Sequence, residues 1–240
     1  MNKLSFLLCS CLLFGFCLTQ SRAIAQKCVD PAGEITVTEN VPGVQGMVKG
    51  KIGVLIEEHF DEAELAGFQQ FFPENGYQVE FISYLWGHDK LTFTGNDHRA
   101  QVIVSTDITK INLDEYDGII LIGGYAMDRL RYETHLDDDG RSTAPAVRFL
   151  RQVVQTDRIK IGTICHSLWL FTAAPDLLKG KKVTSALNIV SDVRNAGGVL
   201  QVHDHQPVDI YVDGNLISAK HPAVLNLFMT TFLNELNRRH

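Results

Sequence analysis

No run of lysine and arginine occurs anywhere in the 240 residues, and the formal net charge is −6. That excludes the basic stripe by which proteins hold nucleic acid or an acidic membrane surface. Long apolar stretches are also missing. The run at residues 4–18 falls short of the ~20 residues that a spanning helix needs. No internal repeat or low-complexity segment is present. Cysteine is scarce: of five, Cys9, Cys11 and Cys17 crowd the N-terminus, so the body keeps only Cys28 and Cys165. This is not the composition of a disulfide-stapled scaffold. Metal-ligand sets are equally thin. His203 and His205 in "VHDHQP" have H-x-H spacing but no evident third and fourth ligands, which reads as a solvated loop. The acidic "LDDDG" at 136–140 lacks the spacing of a calcium loop and reads as an exposed insertion.

What is there is ordinary for a soluble globular protein, with 45% hydrophobic and 21% charged residues. The length suits one sizeable α/β domain with a segment to spare. That segment is the N-terminus, where Lys3, the apolar run and Ala23-Ile24-Ala25 have the layout of a secretory signal peptide. The expectation is cleavage after Ala25 and export, to a periplasm or beyond the cell, with no membrane attachment afterwards. Losing Lys3 and Arg22 from a segment without acids takes the charge from −6 to −8. Residues 26–50, rich in Gly, Pro and polar side chains, read as a flexible tail, and 51–240 as the domain. With Cys28 in that tail, Cys165 reads as a free thiol.

From Lys51 onward, strand and helix patterns alternate. "KIGVLI" (51–56) precedes a helical stretch at 61–72, and "YQVEFIS" (77–83) is the next strand. "TFTGND" and "QVIVSTDI" read as a hairpin-like excursion. "DGIILIGG" (117–124) is a buried strand running into two glycines. A helix at 144–155 leads to "RIKIGTIC" (158–165), and a hairpin turning at Asp213-Gly214 leads to a final helix. Strands separated by helices imply a mostly parallel sheet covered on both faces.

Reactive groups in such sheets gather at the carboxyl ends of strands. Three of these ends carry unusual residues: the acidic cluster Glu57, Glu58, Asp61, Glu62 and Glu64; the pair Gly123-Gly124; and Cys165-His166. A helix beginning near His166 would favour the Cys165 thiolate through its unpaired N–H groups and dipole. The His166 and Gly124 amides could together stabilise a tetrahedral intermediate. Cys165 as a small buried hydrophobe beside a tight glycine turn fits the same pattern equally well. His221, in "ISAKHPAVL", also follows a strand and is expected to line the same pocket.

The stretches "IGTICHSLWLF", "YDGIILIGGYAMDRLR" and "VLIEEHFDEAELAGFQQFFPENGYQVEFIS" together resemble the ThiJ/PfpI superfamily, relatives of class I glutamine amidotransferase domains. The resemblance runs from Lys51 to the last helix. It implies a flavodoxin-like three-layer sandwich with a nucleophile elbow, a homodimer or higher homo-oligomer, and no cofactor or metal. Cys165 matches the nucleophile, His166 its histidine neighbour, and Glu64 the acid that hydrogen-bonds the sulfur, with Asp61 as the nearby alternative. Gly124 and His166 match the oxyanion-hole amides. Asp128, where Glu is usual, matches an acid that reaches the histidine of a neighbouring subunit. True glutamine amidotransferases follow their catalytic histidine with Pro-Glu; Ala223 replaces that Glu here, which argues against a glutaminase. The implied activity is a cysteine-dependent hydrolase, glyoxalase or deglycase acting on small reactive carbonyls, their adducts, or amide bonds. The alternative is a non-enzymatic redox or stress-protection protein whose Cys165 oxidises to a sulfinate.

Overall fold

The computed structural model describes residues 36–38, 48–138 and 140–238, all within one compact unit, Glu34–His240. The expected signal segment at 1–25 lies outside the described residues. Among the described residues, no helix is long and apolar enough to cross a membrane.

Seven strands form the central sheet: β1 (Gly50–Leu55), β2 (Tyr77–Ser83), β3 (Thr106–Asp107), β4 (Gly118–Leu121), β5 (Lys160–Ile164), β6 (Ile210–Asp213) and β7 (Leu216–Ala219). Their spatial order is β6-β7-β5-β4-β1-β2-β3, and only β6 runs antiparallel to its neighbour. The apolar residues of the runs that suggested buried strands are buried. All four residues of β4 and all four of β7 are shielded from solvent, which requires a covering layer on each face of the sheet.

Among the described residues, seven helices supply the layers: α1 (Glu62–Glu74), α2 (Ala126–Leu130), α3 (Pro145–Val154), α4 (Trp169–Thr172), α5 (Pro175–Leu178), α6 (Val190–Asn195) and α7 (Leu225–Asn237). One layer pairs α1 with α7, and a second is built around α2, α3 and α4. Glycine lets α7 come close. A Cβ on Gly118 of β4 would stand 2.8 Å from Phe232, and one on Gly162 of β5 would stand 2.8 Å from Phe228. Phe68, Phe72, Phe228 and Phe232 form the aromatic core of this layer, with ring centroids 5.9 to 6.1 Å apart.

The hairpin-like excursion is a true antiparallel pair, Leu91–Thr94 with Ala100–Val104. Part of the expected tail departs from coil, because Thr36–Thr38 runs parallel to Ala100–Val102 as an added edge strand. Thr-Val-Thr is β-branched throughout and suits an extended backbone beside an open edge.

The chain runs outward from β1 through β2 to β3, then returns to the other side of β1 at β4. That reversal creates a crevice at the carboxyl ends of β1 and β4, where open α/β sheets bind ligands.

Candidate active site

Asp61 accepts a hydrogen bond from the Glu64 N–H at 3.0 Å and caps α1. In the usual capping box the third residue reaches back to the cap. Here the Glu64 side chain instead turns under the β4 turn, fully buried, and accepts from the Gly123 N–H at 2.6 Å. Its other oxygen, Oε1, is buried with no partner. Burial is the main reason why the Glu64 carboxyl titrates well above the usual range, and the Asp61 charge adds to it. Burial thus favours the protonated form of Glu64 over the carboxylate.

Gly124 occupies the left-handed region at φ +72°, where a Cβ would stand 2.4 Å from the His59 carbonyl oxygen. No other residue fits that turn without displacing backbone. The turn is pinned to the start of α1 by Asp61 N–H donating to Gly123 O at 3.2 Å and Tyr125 N–H donating to His59 O at 2.8 Å. Absence of a side chain at Gly123 matters as well. A Cβ there would lie 2.5 Å from Glu64 Oε1 and 2.9 Å from Cys165 Cβ, so the carboxyl and the cysteine meet across this glycine.

Cys165 is buried, free of any disulfide, and held at φ +57°. Cysteine rarely adopts that conformation, and such strain concentrates at functional sites. Both sides of the residue are anchored: its N–H donates to Ala219 O at 3.0 Å, and its carbonyl accepts from Ala186 N–H at 3.2 Å. The amides of Gly124 and His166 both point at the sulfur. They are the two donors expected of an oxyanion hole, and the structure brings them together.

Three expectations are corrected here. The elbow does not lead straight into a helix; residues 165–168 form turns, and α4 contributes only four residues from Trp169. The thiol is not depressed either. Burial, then the Glu64 and Asp61 carboxylates, push Cys165 up to about 12 against the opposing pull of the two amides. Repulsion from Glu64 operates only when that carboxyl is ionised, so a protonated Glu64 removes part of this rise. The expected hydrogen bond from Glu64 to the sulfur is not formed in this geometry, since Oε1 has no partner.

His166 is half-buried between Tyr125 and Trp169, with ring centroids 5.4 and 5.3 Å away. Burial holds its imidazole below the usual histidine range, with Asn188 and Gly124 opposing and the nearby His221 reinforcing. Its Nδ1 is buried without a hydrogen-bond partner. Cys165, His166, Gly124, Asp61 and His221 all line one cavity of about 580 Å³, together with Tyr125 and Asn188. Asp128 does not. It is exposed on α2 and borders a larger cavity, about 730 Å³, that shares no lining residue with the first. Among the described residues no cluster of three or more His, Cys, Asp or Glu could hold a metal ion.

Sequence reasoning missed the residues that hold His166, namely Tyr125, Trp169 and Asn188. Asn188 sits in a 3-10 turn of three residues, Leu187–Ile189, too short to leave a periodic signal. It also missed the partner of buried Glu57: Arg129, which donates through Nε to Glu57 Oε1 at 3.2 Å across 72 positions of sequence.

The parallel sheet, the strained buried cysteine and the paired amides define an α/β protein of the nucleophile-elbow class. The DJ-1/PfpI family matches residues 50–235, and the chain belongs to that family. It is 32% identical to a Pyrococcus furiosus protein named deglycase PfpI over 186 residues, covering 78% of this chain and 99% of that protein. It is 29% identical to Escherichia coli protein/nucleic acid deglycase 2 over 179 residues, covering 74% of this chain and 92% of that one. Among solved structures, Drosophila melanogaster DJ-1beta shares the fold, with a TM-score of 0.63 and 17% identity over 79% of this chain and 91% of that one.

Proposed function

We propose that the protein is a deglycase-like enzyme that uses Cys165 on small reactive carbonyls or on their adducts with amines and thiols. The observation that carries this reading is the free, buried Cys165 at φ +57°, with two backbone amides aimed at its sulfur and a cavity in front of it. Relatives named deglycases, matched over nearly their whole length, support the same reaction class.

In this mechanism the Cys165 sulfur adds to a carbonyl carbon, forming an S–C bond as the C=O π pair moves onto oxygen. The Gly124 and His166 amides receive that oxyanion. The thiol proton passes to His166, which burial keeps neutral at pH 7 and so free to accept it. Glu64, which meets Cys165 across Gly123 and whose carboxyl burial pushes toward the protonated form, is the acid that returns a proton to a departing group. Asp128 lies outside the cavity of its own chain, so its part requires a symmetric assembly that sets it against His166 of a second copy. Export ahead of this chemistry rests on the N-terminal pattern of residues 1–25.

The test is a panel of glyoxals, glycated amines and peptides offered to wild type and Cys165→Ala. Loss of turnover in the variant is expected. Activity that survives the substitution removes Cys165 from the mechanism. A second reading, redox protection, draws on the orphaned Glu64 Oε1 beside Cys165, which could hold a sulfinate oxygen. Mass spectrometry after mild peroxide, with no turnover of any carbonyl, would favour it instead.

A further inference from the structure

His221 lines the Cys165 cavity but contributes nothing to the mechanism above. Its position is nonetheless fixed. Cys165 N–H bonds to Ala219 O, so the chain leaving β7 runs beside the elbow, and His221 follows two residues later. The side chain lines the Cys165 cavity, near enough to His166 to influence its charge.

The ring is also held in one protonation pattern. His221 Nδ1 accepts a hydrogen bond from the Ala223 N–H at 3.1 Å, capping the turn Pro222–Val224. An N–H donor facing Nδ1 excludes a proton there, so neutral His221 carries its proton on Nε2. A histidine that serves as a base through Nε2 needs the opposite arrangement, with Nδ1–H donating to an acceptor. Ala223 supplies no side-chain acceptor, and its backbone supplies a donor. His221 is therefore built to give a hydrogen bond.

We infer that His221 is a specificity-determining residue whose Nε2–H donates to an oxygen on the carbon next to the one Cys165 attacks. Substrates with adjacent oxygens, such as 1,2-dicarbonyls, α-hydroxy carbonyls and adducts that keep the neighbouring hydroxyl, then gain a contact that simple aldehydes lack. The asymmetry follows from the one added hydrogen bond, a modest gain because His221 is exposed at the cavity rim. This inference rests on the carbonyl chemistry assigned to Cys165, so its test measures the reversible adduct rather than turnover.

Protection of Cys165 from iodoacetamide gives the affinity of each carbonyl for the thiol. Methylglyoxal carries the second oxygen and propanal does not. The informative variant is His221→Asn, because Asn Oδ1 can still accept from the Ala223 N–H and keep the turn, while its amide is too short to replace Nε2 in the cavity. His221→Phe removes both functions and serves as the control for the cap. In His221→Asn, methylglyoxal protection should weaken about tenfold and propanal protection should change less than twofold. Equal weakening of both, or of neither, overturns the role of His221. No protection by either carbonyl in wild type overturns the chemistry at Cys165, and this inference with it. Nitrogen-15 NMR of the His221 ring reads the tautomer directly. A proton found on Nδ1 would refute the donor assignment whatever the affinities show.

Discussion

Glu64→Gln should change how stability depends on pH, and the sign can be worked from the structure. In the fold the carboxyl is fully buried and titrates well above its ordinary value, chiefly through burial. In the unfolded chain it titrates near the ordinary glutamate value of about 4.3. Between those two points the folded state binds a proton that the unfolded state has released. Stability therefore falls as pH rises through that window, by about 1.4 kcal/mol per pH unit for this one group. The glutamine side chain has no proton to lose, and its amide oxygen can still accept from the Gly123 N–H. The variant should match wild type near pH 4 and become progressively more stable than wild type toward neutrality. Urea unfolding of both proteins from pH 4 to pH 7 reads the difference, and Glu57, also raised by burial, cancels because both proteins contain it. Parallel curves across the range would refute the reasoning, since they would mean that Glu64 ionises as easily inside the protein as outside. Glu64→Leu provides the contrast. It leaves the Gly123 N–H buried without an acceptor, at a cost of about 1–3 kcal/mol, and should be less stable than Glu64→Gln at every pH.

Asp61→Asn keeps the α1 cap but removes a charge that raises both Glu64 and Cys165, so iodoacetamide should modify Cys165 several-fold faster at pH 8; an unchanged rate would count against that coupling. Gly124→Ala forces a Cβ toward the His59 carbonyl at a left-handed position and should lower stability by at least about 2 kcal/mol in thermal or urea unfolding. Intact-mass measurement of protein recovered outside the cytoplasm should show a chain beginning near Gln26, and retention of residues 1–25 in that material would refute the signal reading.

Much of the site was legible because its parts lie where periodic patterns stop. The apolar runs ending at Ile56, Ile122 and Ile164 marked three strand ends, and the helical pattern at 61–72 put Asp61 and Glu64 at the start of a helix. The alternation of strand and helix was enough for the layered sheet. What stayed hidden depends on contacts between distant segments. The apolar "SLWLF" places a helix start near His166, whereas residues 165–168 form turns ahead of α4. The rise of the Cys165 thiol comes from burial and from carboxylates about a hundred positions earlier in the chain, which no local pattern encodes. The edge strand at Thr36–Thr38 was masked by glycine and proline on both sides of it.

The anchoring of Cys165 joins segments that meet only when the whole sheet is assembled: Ala219 holds its N–H, Ala186 its carbonyl, and Gly124 approaches its sulfur. A chain still folding lacks all three contacts, so its cysteine behaves as an ordinary exposed thiol. The native protein thus carries its own conformational clock at this corner. Under conditions where only opened molecules react, the rate of thiol labelling reports how often β5, β7 and the β4 turn separate, and so gives the local opening free energy of this corner independently of global unfolding.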